Sequence, residues 1–369
     1  MLRYILIGFG ILTALLVLTF IGTFFYVKKK YAPGAEKVLA FIQENPDKAS
    51  ITWYRNDTLM ASQHPDRKMP LASAMKIIVA IEYAHQAAAG VIDADQLIDT
   101  LDLEVYHVKN TDGGAHSSWL AYSKNGIQGD KVAIRDIAKG MISHSSNANT
   151  EWMCAALGLD NINRRIDSLG IRSEHDEIYH LVSSLFIGKE LYPALSDDSL
   201  KEKLIALDSS TYVQSTATIH EKLLQDKDYK LDKGDNSLKL QKVWSDRLPS
   251  ATTAAYASVM KKLNSKTDFD PKVYEYLDEV MEIVMQNPRN AQWLKHSGSK
   301  GGSTGWVLAE ALYATDKKGN RTELVYFLND LSRLQSRSIS KSMNEFNLKL
   351  LNNEDFRNTV KIALGQHGG

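Results

Sequence analysis

Residues 73–84 read SAMKIIVAIEYA, a serine and a lysine followed by a run of apolar residues. Ser73 and Lys76 stand at positions i and i+3, so a helix would place both side chains on one face. The residues after Lys76 are apolar nearly all round, which predicts a buried central helix from Ser73 to about Ala89. A serine at the start of that helix would lie at the positive end of its dipole. A buried lysine with a lowered pKa could then take the serine proton.

The composition is that of a globular protein without a charge surplus. The 369 residues include 44 Lys and Arg against 44 Asp and Glu, and 44% of the chain is hydrophobic. These values argue against wholesale disorder. Nucleic-acid-binding proteins usually carry a basic surplus, so we expect no nucleic-acid partner. The single cysteine, Cys154, excludes an intramolecular disulfide, and its apolar surroundings predict an inert buried thiol.

The first thirty residues have the pattern of a membrane anchor. The run from Tyr4 to Val27 contains no charge and no proline, and it is long enough to cross a bilayer core of about 30 Å. It lacks a small-residue cleavage pattern, which favours a retained anchor over residues 1–30 rather than a cleaved signal. The three lysines at 28–30 would place the following domain in the cytoplasm if the positive-inside rule acted alone.

Strand patterns at both ends of the body flank a mostly helical middle. Ser50–Tyr54 and Thr58–Ser62 read as early strands, and Trp306–Ala314 and Glu323–Asn329 as late ones. The simplest packing joins them in one antiparallel sheet covered by the terminal helices, with the middle forming a second, helical lobe. Residues 185–245 are polar and lysine-rich in part, which predicts an insertion or a long surface excursion.

A second motif, Ser145-Ser146-Asn147, lies within MISHSSNANTEWM. From a loop between helices, a hydroxyl and an amide two residues apart can point into one cleft. Ser145 could relay a proton there, and Asn147 could hold a substrate carbonyl. An ordinary helix N-cap is the other interpretation of this motif.

The third motif is the glycine-rich stretch 296–305, HSGSKGGSTG. Glycines on a strand let a ligand approach the backbone, and Lys300 would place a positive charge at the cleft. A flexible glycine and serine linker is the alternative. The first motif is weak alone, because S-x-x-K spacing also occurs at Ser258, Ser297 and Ser338. The second is weak alone because S-x-N spacing also occurs at Ser123 and Ser342.

In this order, the three motifs resemble the S-x-x-K, S-D-N and K-T-G set of the penicillin-recognising serine enzymes. Class A β-lactamases and their serine-hydrolase relatives are the closer match, and the resemblance covers about residues 35–335. It implies a β-lactamase-like fold of the α/β (α+β) class. An antiparallel sheet with flanking terminal helices would face an all-helical lobe, with the active site between them. Residues 31–369 would form this one domain, with insertions at 105–128 and 185–245.

The resemblance also implies roles for particular residues. Ser73 would be acylated, Lys76 would be its base, and Ser145 would relay protons. Lys300 would order the cleft and attract a carboxylate, and the backbone N–H groups of Ser73 and Ser303 would form the oxyanion hole. The residues assigned to substrate binding are Asn147, Gly302, Ser303 and Thr304.

Three departures from the family pattern bear on the reaction. Ser146 replaces the acid of S-D-N, and Gly301 replaces the hydroxyl residue of K-T-G. No E-x-x-L-N motif follows Gly170, and in the family its glutamate activates the deacylating water. The acidic residues near the expected place have the wrong spacing; they are Glu174, Asp176 and Glu177. We therefore expect efficient β-lactam hydrolysis to be absent and the acyl-enzyme to accumulate.

Neither a metal nor another cofactor is expected. The ten histidines show no H-E-x-x-H spacing. His116, in the segment NTDGGAH, is expected either at the mouth of the cleft or on the surface.

The substrate class stays open among β-lactams, peptidoglycan stem peptides and simple esters. The alternatives to a D-alanyl-peptide or β-lactam hydrolase are a membrane-anchored penicillin-sensing or penicillin-binding domain without turnover, and an esterase on the same fold. The resemblance favours an extracytoplasmic catalytic domain held by a single-pass N-terminal anchor, against the charge pattern of the lysines at 28–30.

Overall fold

The computed structural model describes residues 16–23, 34–123, 129–226, 228–229 and 237–365. In chain order its strands are β1 (Ala49–Arg55), β2 (Thr58–Gln63), β3 (Met69–Pro70), β4 (Leu97–Asp99), β5 (Lys131–Ala133), β6 (Ser250–Ala251), β7 (Leu294–Ser303), β8 (Leu308–Asp316) and β9 (Arg321–Leu328). Within the described chain, a five-stranded antiparallel sheet has the order β2-β1-β9-β8-β7, and β3-β6 and β4-β5 form two short pairs.

Helices make up most of the remaining structure. The α-helices of the first half are α1 (Ala35–Glu44), α2 (Lys76–Ala88), α3 (Thr100–Glu104), α4 (Ala115–Ser123), α5 (Ile134–Ser143), α6 (Asn147–Leu157) and α7 (Leu159–Ser168). Those of the second half are α8 (Ile187–Leu191), α9 (Asp197–Ala206), α10 (Ser209–Gln225), α11 (Leu238–Asp246), α12 (Thr253–Ser265), α13 (Pro271–Met281), α14 (Pro288–Ala291), α15 (Arg333–Asn352) and α16 (Glu354–Leu364). Short 3₁₀ helices lie at Pro46–Lys48, Ala72–Met75, Arg172–Glu174, Ser183–Phe186 and Ile283–Gln286.

The sheet joins the two ends of the domain, as the sequence predicted. β1 pairs with β9 from Ala49 opposite Leu328 to Arg55 opposite Thr322. The glycine-rich stretch is not a flexible linker, because most of it lies in β7 and pairs along β8. This pairing fixes the third motif at one edge of the sheet.

Both faces of the sheet are buried. Along β9, Val325 and Phe327 belong to the core that the sheet shares with the helical lobe. The alternate residues, Leu324, Tyr326 and Leu328, belong to a second core formed with the terminal helices α1, α15 and α16. This alternation follows from the two-residue repeat of a strand. The predicted antiparallel sheet, with terminal helices on one face and a helical lobe on the other, is confirmed.

The central helix lies where the apolar run predicted it, with a different start. Residues 76–84 are all buried, so α2 forms the middle of the helical lobe. The α-helix begins at Lys76, whereas Ser73 lies in the preceding 3₁₀ helix.

Residues 185–245 contain helices that belong to the main fold. Leu200, Tyr212 and Ile219 from α9 and α10 are buried in the core of the helical lobe. The segment is therefore packed structure over its described part, although its sequence reads as a polar excursion. Whether it is an insertion relative to the family stays a prediction.

The predicted anchor lies mostly outside the described residues. Residues 16–23 are helical and exposed. Within the described residues, no helix has both the length and the apolar character needed to cross a bilayer.

Candidate active site

Ser73 lies at the junction between the sheet and the helical lobe. It is half-buried and lines a cleft of about 590 Å³. As the second residue of a 3₁₀ helix, it carries one of the backbone N–H groups that have no partner inside the helix. Ala72, just before it, has a φ of 44°, a left-handed value that a non-glycine residue adopts only when its surroundings hold it. The turn therefore presents the Ser73 side chain and backbone to the cleft.

Lys76 lies under the cleft and is fully buried. Its Nζ is 2.7 Å from the carbonyl oxygen of Ser145, 3.2 Å from Ser145 Oγ and 2.9 Å from Asn147 Oδ1. Burial, assisted by the charge of Lys300, holds the pKa of Lys76 well below its ordinary value. A lysine whose pKa is lowered loses its proton more readily, and the neutral amine can accept a proton from a hydroxyl.

Ser145 connects two buried lysines. Besides Lys76, its Oγ contacts Lys300 Nζ at 3.1 Å. Lys300 comes from β7 and also donates to the carbonyl oxygen of Gly301 at 2.8 Å. Burial lowers the pKa of Lys300 to about 8, and the carboxylate of Glu310 acts in the opposite direction. Ser145 has a φ of 65°, so the second motif forms a strained turn at the cleft.

Gly302 brings β7 against the turn that contains Ser73. A methyl group at its Cα would lie 2.3 Å from the Leu71 carbonyl oxygen and 2.6 Å from Ser73 N. Only glycine permits this approach. Because Ser303 follows directly, its backbone is carried to the same edge of the cleft, and both Ser73 and Ser303 line it.

Ser303 and Thr304 differ in how their hydroxyl groups are used. Thr304 Oγ1 accepts from the backbone N–H groups of Trp306 and Val307, each at 3.1 Å, and lies 2.6 Å from Ser245 Oγ. This hydroxyl holds the β7–β8 turn together and has no capacity left for a substrate. Ser303 is exposed, so its side chain is the more accessible of the two.

The walls of the cleft have different chemical characters. One wall is the polar loop 110–115. Another part of the lining is apolar and consists of Leu181, Leu185, Trp244, Leu248 and Trp306. His144 lines the cleft beside Ser145, and burial lowers its pKa.

The acidic loop after Gly170 does not reach the cleft. Thr252 Oγ1 donates to Glu174 Oε1 at 3.0 Å, Asp176 pairs with Lys68 at 2.9 Å, and Glu177 is exposed. Among the described residues, the acid in the cleft lining is Asp112. Its two carboxylate oxygens accept backbone N–H groups of its own loop.

His116 lies neither at the mouth of the cleft nor on the surface, so both interpretations of this histidine are wrong. It is fully buried and contacts Ser146 Oγ at 2.9 Å and Glu104 Oε1 at 3.0 Å. Ser146 is itself fully buried and caps α6. From the sequence, Glu104 was not identified as part of the site, because no sequence pattern relates it to Ser146.

Two clusters contain the ligand types of a transition-metal site. In the first, Glu104 contacts both His107 and His116 at hydrogen-bonding distance. In the second, the His180 and His220 rings are stacked beside Glu151, with centroids 3.7 Å apart and an interplanar angle of 15°. Nearly parallel rings cannot both aim an in-plane nitrogen at one shared ion, so the second cluster does not fit a metal as arranged.

Cys154 fits the prediction of an inert thiol. It is buried in α6, and burial raises its pKa, with the charge of Glu151 acting in the same direction. A thiol of this kind stays protonated at neutral pH.

The family is established by comparison with known proteins. Residues 34–268 match the model of a β-lactamase enzyme family, Beta-lactamase2. The chain therefore belongs to this family. No protein of curated function matches the sequence.

Solved structures show the same fold at low sequence identity. A β-lactamase from Chitinophaga pinensis has 12% identity and a TM-score of 0.52, over 85% of this chain and 98% of that one. A β-lactamase from Sphaerobacter thermophilus has 16% identity and a TM-score of 0.50, over 86% and 95%. A class A β-lactamase representative from Bacteroides cellulosilyticus has 13% identity and a TM-score of 0.50, over 90% and 97%. At these identities, the likeness establishes the fold and leaves the reaction to be argued from the site.

Proposed function

We propose that this protein is a serine hydrolase of the β-lactamase and penicillin-binding type, which forms an acyl-enzyme on Ser73. The observation that carries the proposal is the contact set of Lys76. This buried lysine bonds Ser145 and Asn147 and lies one turn beyond a serine that opens into the cleft. A nucleophile, a base with a lowered pKa and a second hydroxyl are the parts that amide acylation needs.

The proposed acylation step assigns one role to each of these groups. Neutral Lys76 takes the proton of Ser73 Oγ while that oxygen bonds the substrate carbonyl carbon. The backbone N–H groups of Ser73 and Ser303 bind the developing oxyanion. The C–N bond then breaks, and the proton passes from Lys76 through Ser145 Oγ to the leaving nitrogen. Every proton removed from the nucleophile is thereby returned to the leaving group.

Substrate selection rests on charge and on one accessible hydroxyl. Lys300 provides positive charge beside the cleft, which favours a substrate carboxylate such as that of a β-lactam or a D-alanyl peptide. Gly301 offers no hydroxyl for that carboxylate, and the hydroxyl of Thr304 is already used. Ser303 therefore supplies the hydroxyl contact, and Asn147 binds the substrate amide.

Turnover is the weak step. Neither Glu174 nor Glu177 lines the cleft, and the Asp112 carboxylate, which does, accepts the backbone N–H groups of Gly114 and His116. General-base assistance contributes roughly 10²–10⁴-fold to a step of this type. The acyl-enzyme should therefore persist, which also favours the second candidate, a penicillin-sensing domain that binds covalently without turnover.

We further propose that residues 1–30 anchor the domain to a membrane and that the domain is extracytoplasmic. The support is the uncharged run from Tyr4 to Val27. Fusions of a reporter that works on only one side of the membrane test the topology. If only a reporter that requires the cytoplasm is active, the extracytoplasmic placement of the domain is refuted. That result would agree with the orientation that the lysines at 28–30 favour.

The experiment for the reaction is a time course with a fluorescent penicillin, followed by intact mass. The proposal predicts a one-to-one adduct at Ser73 that forms quickly and decays slowly. Labelling by an activated ester but by neither a penicillin nor a D-alanyl depsipeptide would identify an esterase instead.

A further inference from the structure

Ser146 forms the buried side of the turn that presents Ser145 and Asn147. Its Oγ lies 2.9 Å from Asn149 Oδ1 and accepts the backbone N–H of Asn149 at 3.2 Å. On its other side the same oxygen lies 2.9 Å from His116 Nδ1. The residue that replaces the acid of the family motif is therefore joined to a buried histidine.

The hydrogen bonds continue to a carboxylate. His116 Nε2 lies 3.0 Å from Glu104 Oε1. Glu104 ends α3, His116 is in the first turn of α4, and Ser146 caps α6. Three side chains thus connect the end of α3 to the turn beside Lys76, and the two inner ones are fully buried.

The groups around these side chains define how they are linked. Asn149 Nδ2 donates to the Ile137 carbonyl oxygen at 3.0 Å, so Asn149 Oδ1 is the amide atom that faces Ser146. A carboxylate only accepts, so His116 Nε2 donates to Glu104. The Nδ1 atom of the same ring faces Ser146 Oγ, and His116 therefore links the carboxylate to the turn.

Glu104 fixes the orientation of the buried His116 ring. Its carboxylate accepts from Nε2, which holds Nδ1 toward Ser146 Oγ. Without the carboxylate, the Nε2–H group would be buried without its partner, which costs free energy. The ring would then lose the contact that holds it against Ser146.

We propose that Glu104, His116 and Ser146 are positioning residues for the acylation reaction. Together they hold the strained Ser145 turn against Lys76, as a carboxylate at position 146 would do directly. The inference rests on the proposed function, because it assigns these residues to the orientation of Ser145 and Asn147. A strained backbone persists only where its surroundings fix it, and this chain of bonds holds the turn through the Ser146 side chain.

The test compares acylation of purified variants by a fluorescent penicillin. The Glu104→Ala variant removes the carboxylate, and 38% exposure of that side chain means that the truncation leaves no closed cavity. The limiting acylation rate should fall about 10- to 100-fold, the loss expected when catalytic groups are misplaced by around 1 Å. The penicillin concentration for half-maximal rate should change little.

A rescue variant and a matched control separate positioning from general damage. Adding Ser146→Asp to Glu104→Ala restores a carboxylate beside His116, so most of the lost rate should return. His107→Ala removes the other histidine on Glu104 without touching Ser146, and it should acylate at the wild-type rate.

The outcomes also separate this inference from the proposed function. If the wild type is labelled at Ser73 and Glu104→Ala is labelled equally fast, the positioning role is refuted while the proposed function stands. Failure of Ser146→Asp to rescue, or an equal loss in His107→Ala, refutes it as well. A wild type that no penicillin labels overturns the proposed function, and this inference with it.

Discussion

Replacing Gly302 by alanine should disable the active site while leaving the rest of the fold intact. The added methyl group would lie 2.3 Å from the Leu71 carbonyl oxygen, 2.6 Å from Ser73 N and 2.8 Å from Ala74 N. All three are backbone atoms, so no side chain can rotate away. Normal contacts between carbon and these atoms are about 3.5 Å, so β7 and the Ser73 turn must separate by roughly 1 Å.

That separation has consequences of different size for rate and for stability. A misplacement of about 1 Å costs around 10²-fold in rate, because it moves Ser73 and the two backbone N–H groups proposed to form the oxyanion hole. Overpacking of this kind typically costs about 1–3 kcal/mol of unfolding free energy. The Gly302→Ala variant should therefore acylate about 100 times more slowly and still unfold cooperatively.

The assay is the rate of penicillin labelling, measured alongside urea unfolding. The control is Gly305→Ala in the same hairpin, where an added methyl group meets nothing within 4 Å. It should acylate and unfold like the wild type. Wild-type labelling by Gly302→Ala would refute the close approach of β7 to Ser73, and equal losses in both variants would show a general effect of the hairpin.

Three further predictions test other parts of the site. Lys300→Ala should lower the acylation rate far more than it lowers the unfolding midpoint, because a charge beside the cleft acts on substrate binding and the transition state. A variant that simply unfolds would show that Lys300 has a structural role instead. Glu174→Gln should leave the slow decay of the acyl-enzyme unchanged in burst kinetics, and rapid penicillin turnover that disappears in this variant would contradict the assignment. Burial raises the pKa of Glu310 from 4.5 to about 7, so its contribution to stability is present below about pH 4.5 and is lost as the pH rises through 7. The unfolding free energy of Glu310→Gln minus that of the wild type should therefore increase by up to about 3 kcal/mol from pH 4 to pH 9. A difference that is equal at both pH values would refute the titration of Glu310.

The sequence predicted the elements whose signals are local. The apolar run after Lys76 predicted a buried helix, and strand patterns at both ends predicted one shared sheet. The order of the three motifs predicted a common cleft, and the structure brings Ser73, Ser145 and Asn147 into its lining. Periodicity and order are properties of the printed chain, which is why these predictions were accessible.

The features that the sequence did not reveal depend on distant contacts. Glu104 has no recognisable relation to Ser146, because His116 joins them only in the folded chain. The hydroxyl of Thr304 looked available until its bonds within the β7–β8 turn were known. Residues 185–245 looked like a surface excursion because their buried positions, such as Tyr212 and Ile219, are spread among many charged residues.

The most direct test of the central claim is the intact mass of the wild type and of Ser73→Ala after exposure to a fluorescent penicillin. We predict a stoichiometric adduct on the wild type, localised to Ser73 by peptide mapping and persistent over the time course. Ser73→Ala should show no adduct while keeping the wild-type unfolding midpoint. An adduct that persists in Ser73→Ala, or that maps to Ser258 or Ser338, would contradict the assignment of the nucleophile and the account built on it.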